Sequence, residues 1–218
     1  MPRLRGVLFD LDGTLVDVAG ATVRCVQSIA RDAGARPIEP TKIRAAQAST
    51  RDARARLAQW VVEAIRTNGG APPPATVVGR ALSTLDRHIE PDLRVVRTLA
   101  HVGNTCRIGI VTNGGRKLQR AKLHAAGLAA LVPPKRVFVS GELGVRKPNA
   151  SIFHQALQAT GEPADSILFV GDDEREDVEG ARAVGMRTCR VAPRGTATSA
   201  DSRVEHVAEL MEMIACET

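Results

Sequence analysis

The sequence predicts an α/β fold: a parallel sheet flanked by helices, interrupted after its first strand by an all-helical insert. Three observations carry this expectation. From residue 92 onward, short apolar runs alternate with helical patterns, as in strands joined by crossover helices. The apolar runs are continuous and end in polar or acidic residues, which reads as strands covered on both faces. Residues 17–90 break the rhythm and contain no convincing strand. The expected division is an α/β core of residues 1–16 and 91–218 and a helical unit of residues 17–90.

Taken in order, the first strand is Gly6-Val7-Leu8-Phe9, cut off by Asp10. The insert reads as one helix from about Ala19 to Ala33, closed by Gly34, and a longer one from about Thr41 to Thr67, closed by Asn68-Gly69-Gly70. After Pro72-Pro73-Pro74 a third runs from about Thr76 to His88, and Glu90-Pro91-Asp92 restarts the α/β pattern. Further strands are expected at 107–111, 136–139 and 167–170, with a weaker fifth at 187–191. Helical patterns fill 115–126, 149–159 and 174–184, closed by Gly127, Gly161 and Gly185, since glycine readily takes the left-handed turn that ends a helix.

Composition narrows the function. At 218 residues the chain is long enough to bury a substantial core without crosslinks. Aromatic residues make up 2% with no Tyr, so the interior rests on aliphatic side chains, and a nucleic-acid binder that stacks bases on aromatic platforms is disfavoured. The net charge is +6, which fits a solvated Arg-rich surface or a field that attracts anionic substrates. No block of Lys and Arg marks a nucleic-acid tail. Cys25, Cys106, Cys189 and Cys216 form no CxxC pair, so reduced thiols are expected rather than zinc or disulfides. No run is long enough for a signal-peptide core or a membrane span. A cytoplasmic enzyme is the expectation, with the oligomeric state unreadable.

Ligands of open parallel sheets bind at the carboxyl ends of the strands, and there the polar residues gather. Asp10 and Asp12 stand two apart at the first strand end, so their side chains point the same way. Paired carboxylates repel unless they share a cation, and Mg²⁺ suits oxygen ligands beside a phosphate. Asp12-Gly13 alone also reads as an ordinary turn. Thr112-Asn113-Gly114 ends the second strand at a helix start, which is an anion site or a simple N-cap. Lys147 precedes Pro148 in what alone reads as a solvated loop. Asp172 and Asp177 follow the fourth clear strand, offering metal ligands or merely suiting the helix dipole.

In order, strand-end placement and spacing, these four segments together resemble the haloacid dehalogenase superfamily: Asp10-Leu11-Asp12-Gly13-Thr14-Leu15, Thr112-Asn113-Gly114, Arg146-Lys147-Pro148, and Gly171-Asp172-Asp173 through Asp177. The likeness spans most of residues 5–191 and is weak in the insert. It implies a Rossmann-like parallel sheet with a small all-helical cap, in the phosphatase branch with the cap after the first strand. It implies a phosphatase acting on a small-molecule phosphate monoester, with Asp10 forming an aspartyl-phosphate and Asp12 as general acid then base. Thr112 and the amide of Asn113 would hold phosphate oxygens and Lys147 would neutralise charge. Mg²⁺ would be held by Asp10, the Asp12 main-chain carbonyl and Asp172, with Asp177 acting through water or orienting the others. In this branch Ser or Thr often follows Asp172; Asp173 stands there instead, facing solvent in the favoured reading or adding a metal ligand in the other.

Dehalogenases of the superfamily lack the second Asp of the first segment, so Asp12 argues against that reaction. A phosphomutase keeps the same residues. A phosphonatase needs a cap lysine, for which only Lys42 is available. A catalytically silent binding relative is expected to have lost one of these groups. The insert carries ten arginines and Lys42 against seven acidic residues, a net +4, which suggests a substrate with a second anionic group. Trp60 there reads as core or interface.

Overall fold

The computed structural model describes residues 3–50 and 54–215. The chain begins with β1 (Gly6–Phe9), all four residues of which are buried, and then enters a helical unit spanning Asp17–Glu90. That unit contains α1 (Val18–Asp32), α2 (Pro40–Ser49), α3 (Arg54–Thr67) and α4 (Ala75–Leu82). Asp17 opens α1 by accepting a hydrogen bond from the Gly20 amide at 2.8 Å, which satisfies one of the orphan N–H groups of the first turn. Pro40 begins α2, where its missing N–H costs nothing. The unit has its own apolar core, in which Val26, Ile43, Val61, Ile65, Val78 and Leu82 are fully buried and Trp60 is half-buried against them. The Arg24 guanidinium pairs with Glu90 and donates to the His88 carbonyl.

Two helices of this unit differ from expectation. Where one helix was expected over 41–67, α2 ends at Ser49 with Thr50 off helical geometry, and α3 starts at Arg54; residues 51–53 lie outside the described residues. The third is shorter: α4 stops at Leu82, and a separate 3₁₀ turn carries Leu85–His88. The hydroxyls of Ser83 and Thr84 donate back to the carbonyls of Gly79 and Ala81, competing with helix continuation.

After Pro91 the chain runs α5 (Leu93–Thr105), β2 (Arg107–Thr112), α6 (Arg116–Ala125), β3 (Val137–Val139), α7 (Ser140–Leu143), α8 (Ala150–Thr160) and β4 (Ile167–Gly171). It closes with α9 (Gly180–Arg182), β5 (Arg187–Val191), β6 (Ser202–Val204) and α10 (Leu210–Ala215). The sheet is six-stranded in the order β3-β2-β1-β4-β5-β6, with every pairing parallel, a Rossmann-like arrangement. Its strand order reverses at β1, so the ends of β1, β2 and β4 share one crevice. On one face Leu8, Val111 and Phe169 pack against Ile152, Phe153 and Ala156 of α8, and the Phe153 and Phe169 rings meet edge to face at 5.2 Å.

The weak fifth strand forms over Arg187–Val191 as expected, and beyond it β6 is a three-residue edge strand with too little apolar sequence to signal itself. The expected helix over 174–184 is instead a π-helical turn at Glu174–Glu179 followed by the short α9. Cys25, Cys106 and Cys189 are buried free thiols, with burial pushing Cys25 up to about 11; Cys216 lies outside the described residues. Among the described residues, no helix is long and apolar enough to cross a membrane.

Candidate active site

Asp10 follows β1 directly, its amide donating to the Val170 carbonyl at 2.8 Å, so its carboxylate is fixed to the end of the sheet beside β4. It is 5% exposed. Lys147, 2% exposed, reaches it from the loop before α8: Nζ lies 2.6 Å from Asp10 Oδ1 and 2.6 Å from Asp177 Oδ1. The ammonium also stands 5.5 Å from the centroid of the Phe169 ring. The lysine that alone reads as a solvated loop residue is thus a buried ion-pair partner.

Asp177 arrives through the π-helical turn. Its amide and that of Val178 both reach the Asp173 carbonyl, and its Oδ2 accepts from the Asp173 amide at 3.0 Å. Widening the turn by one residue carries the carboxylate back onto the strand end. There Gly171 has to be glycine, because a Cβ would fall on the Asp177 carboxylate. Asp173 is half-buried, stands outside the three-carboxylate group, and caps the turn with its Oδ1, which accepts from the amides of Arg175 and Glu176.

Asp10, Asp172 and Asp177 offer carboxylate oxygens within 4.8 Å of one another. Gly13, at φ 91°, lets the Asp12-Gly13 main chain approach them, since a Cβ there would lie 2.5 Å from Asp172 Oδ2. Burial raises the Asp10 carboxyl well above its ordinary range; Lys147 pulls it down, while Asp177, Asp172 and Asp12 push it up again. Burial acts to lower Lys147, yet Asp10 and Asp177 outweigh it and hold the ammonium charged. A single ammonium does not neutralise three carboxylates, so the cluster keeps surplus negative charge. Hard oxygen donors with surplus negative charge fit a small divalent cation such as Mg²⁺. In the loop after β1, Asp12 Oδ1 and Thr14 Oγ1 are buried without a hydrogen-bond partner.

The Asp12 carboxylate is not part of this cluster. Its Oδ2 turns to α6, 2.6 Å from Lys122 Nζ and 3.2 Å from Gln119 Nε2. Thr112 is buried at the end of β2, its hydroxyl accepting from the same Gln119 nitrogen at 2.6 Å. The Asn113 side chain is taken up by the lysine loop and the π-helical turn. It accepts from the Lys147 amide at 2.9 Å and donates to the Lys147 carbonyl and to Glu176 Oε2. Glu176 in turn pairs with Arg146 at 3.1 Å, so β2, the lysine loop and the π-helical turn are tied together.

Three residues were not foreseen: Gln119, Lys122 and Glu176. The first two had a signal. Gln119, Lys122 and Leu123 sit at i, i+3 and i+4, the spacing of a buried helix face, yet two of the three are polar.

The model of the haloacid dehalogenase-like hydrolases matches residues 4–185. The chain belongs to that family. It is 34% identical over 154 residues to the phosphoserine phosphatase of Thermus thermophilus, a match covering 68% of this chain and 61% of that one, so it spans about three fifths of that relative's length. It is 27% identical to the human N-acylneuraminate-9-phosphatase over 98% of this chain and 93% of that one. Among solved structures, the HAD hydrolase YfnB of Bacillus subtilis superposes with a TM-score of 0.77 at 20% identity, covering 98% of this chain and all of that one. Phosphatases are thus among the relatives of this HAD-like hydrolase, and the fold agrees throughout.

Proposed function

We propose that this HAD-like hydrolase is a Mg²⁺-dependent phosphatase that cleaves a small-molecule phosphate monoester through an aspartyl-phosphate on Asp10. The observation that carries the reading is the Asp10 carboxylate, anchored at a strand end, salt-bridged to Lys147 and set within a three-carboxylate cluster. An Asp10 oxygen attacks phosphorus, a new O–P bond forms, and the bond to the leaving oxygen breaks. Asp12 gives the leaving oxygen a proton, then takes one from the water that hydrolyses the aspartyl-phosphate and frees Asp10. The Thr112 hydroxyl and the Asn113 main-chain N–H donate to phosphoryl oxygens, and Lys147 offsets their charge. Asp10, Asp172, Asp177 and the Asp12 main-chain carbonyl would hold Mg²⁺, which when bound neutralises developing charge on the phosphoryl group.

Selection of the substrate is assigned to the helical unit, whose net charge of +4 suits an ester bearing a second anionic group. The test is hydrolysis of p-nitrophenyl phosphate and of a panel of neutral and acidic phosphate esters with Mg²⁺. Turnover is expected in the wild type, abolished by chelation and by Asp10→Asn, with acidic esters preferred. A metal-loaded wild type no faster than Asp10→Asn overturns the phosphatase reading, and equal rates on neutral and acidic esters overturn the substrate class.

A further inference from the structure

Beneath the candidate site, α6 presents two polar side chains inward. Gln119 is 2% exposed and Lys122 4%. A buried lysine and a buried glutamine are costly unless their partners are fixed, and here the partners are groups of the site itself. Lys122 Nζ is 2.6 Å from Asp12 Oδ2, a short charge-assisted bond. Gln119 Nε2 reaches Asp12 Oδ2 at 3.2 Å, Thr112 Oγ1 at 2.6 Å and the Asn113 carbonyl at 3.3 Å. The Asn113 carbonyl and the Asp12 carboxylate accept and do not donate, so the amide nitrogen of Gln119, not its oxygen, faces them. Space for this amide comes from Gly114, where a Cβ would lie 2.8 Å from the Gln119 carboxamide carbon.

We propose that Gln119 and Lys122 are positioning residues that set the working atoms of Asp12 and Thr112. Both hold Asp12 by the same oxygen, Oδ2. That leaves Oδ1, buried and without a hydrogen-bond partner, as the oxygen that carries the proton to and from the substrate. Gln119 donates to the Thr112 oxygen, so the Thr112 hydroxyl hydrogen is free to point elsewhere, as a donor to a phosphoryl oxygen requires. The pair thus couples proton delivery and phosphate binding through one helix. This inference rests on the phosphatase reading and deepens it.

The test compares kcat/KM for an alkyl ester, glycerol 2-phosphate, with that for p-nitrophenyl phosphate, whose leaving group departs without a proton. Wild type, Asp10→Asn, Lys122→Met, Lys122→Arg and Gln119→Leu are assayed with Mg²⁺, and inhibition by inorganic phosphate is measured for each. In Lys122→Met the alkyl-to-aryl ratio is expected to fall on the order of 10–100-fold, part of the roughly 10²–10⁴ that positioned proton transfer supplies. Lys122→Arg should recover part of the ratio. Gln119→Leu should lower the ratio and also weaken inhibition by phosphate, which Lys122→Met should not. Should Lys122→Met fail to fold, Lys122→Gln is read by the same ratio. Equal loss on both esters, or an unchanged ratio in both variants, overturns the inference while an active wild type leaves the phosphatase reading standing. A wild type no faster than Asp10→Asn overturns both.

Discussion

The two units of the chain bury different things. In the helical unit the only buried polar side chain among the described residues is Thr22, whose hydroxyl donates to the carbonyl one turn back. The α/β unit buries Asp10, Lys122, Lys147 and Asp177, together with Thr112 and Gln119. The helical unit therefore follows the ordinary logic of an apolar core. The α/β unit places charges where hydrophobic residues of similar volume would stabilise at least as well. A fold keeps such charges for what they do. The contrast locates the chemistry without reference to any ligand: polar groups buried together, at the ends of strands, in one unit and not the other.

The contrast breaks first at Lys147. Lys147→Met should cut kcat by at least about 10²–10³, the worth of one preorganised electrostatic partner at a transition state. It should also destabilise the α/β unit by about 3–5 kcal/mol, since it strands buried carboxylates. Steady-state kinetics and thermal melts check both. A variant as active as the wild type would mean that the buried charges are structural only. Ile65→Ala, fully inside the helical unit, should cost about 2–5 kcal/mol of stability through cavity formation. Its melting temperature should respond to Mg²⁺ as the wild type's does. Third, Mg²⁺ at 100 times its dissociation constant should stabilise the wild type by about 2.7 kcal/mol, and Asp172→Asn should lose most of that gain. A metal response surviving Asp172→Asn would move the cation site away from the cluster.

How much of this was legible in the sequence follows the same division. Strand ends announce themselves: an apolar run stopped by Asp10, by Thr112 or by Asp172 is a short-range signal, and all three lie where the pattern put them. Lys147 was legible only by its company, because nothing about a lysine before a proline reveals that two carboxylates will enclose it. The π-helical turn was not legible, since it is driven by where the Asp177 carboxylate must go and not by local propensity. Gln119 and Lys122 were hidden for a different reason. Their partners, Asp12 and Thr112, are 110 and 7 residues away, and a polar residue on a helix face ordinarily reads as solvated. The helical unit shows the converse. Its existence was plain from the missing strands, while the ends of α2 and α4 were blurred by side-chain hydroxyls that compete with the helix.

The smallest effects lie where the chain passes between the units. Asp17 opens α1 on entry to the helical unit, and Asp92 opens α5 just after the return; each accepts a main-chain N–H at 2.8 Å. Replacing either by Ala should cost about 1 kcal/mol, the ordinary worth of an N-cap. At Asp92 the cost should depend on pH. Hydrogen bonds from Arg94, side chain and main chain, hold the Asp92 carboxyl well below its usual range, with His206 nearby. A depressed pKa means that the folded state favours the ionised form. The stabilisation is therefore complete above the unfolded value of 3.8 and fades as pH falls through and below it. Asp92→Ala should thus be destabilised relative to wild type at neutral pH and converge on it in acid. Asp92→Asn should keep the cap but not the pH-dependent part. Paired melts of the three proteins from neutral to acid conditions decide this. A difference between Asp92→Ala and wild type that stays constant across that range would show that Asp92, like a bare N-cap, acts only through its hydrogen bond to the helix.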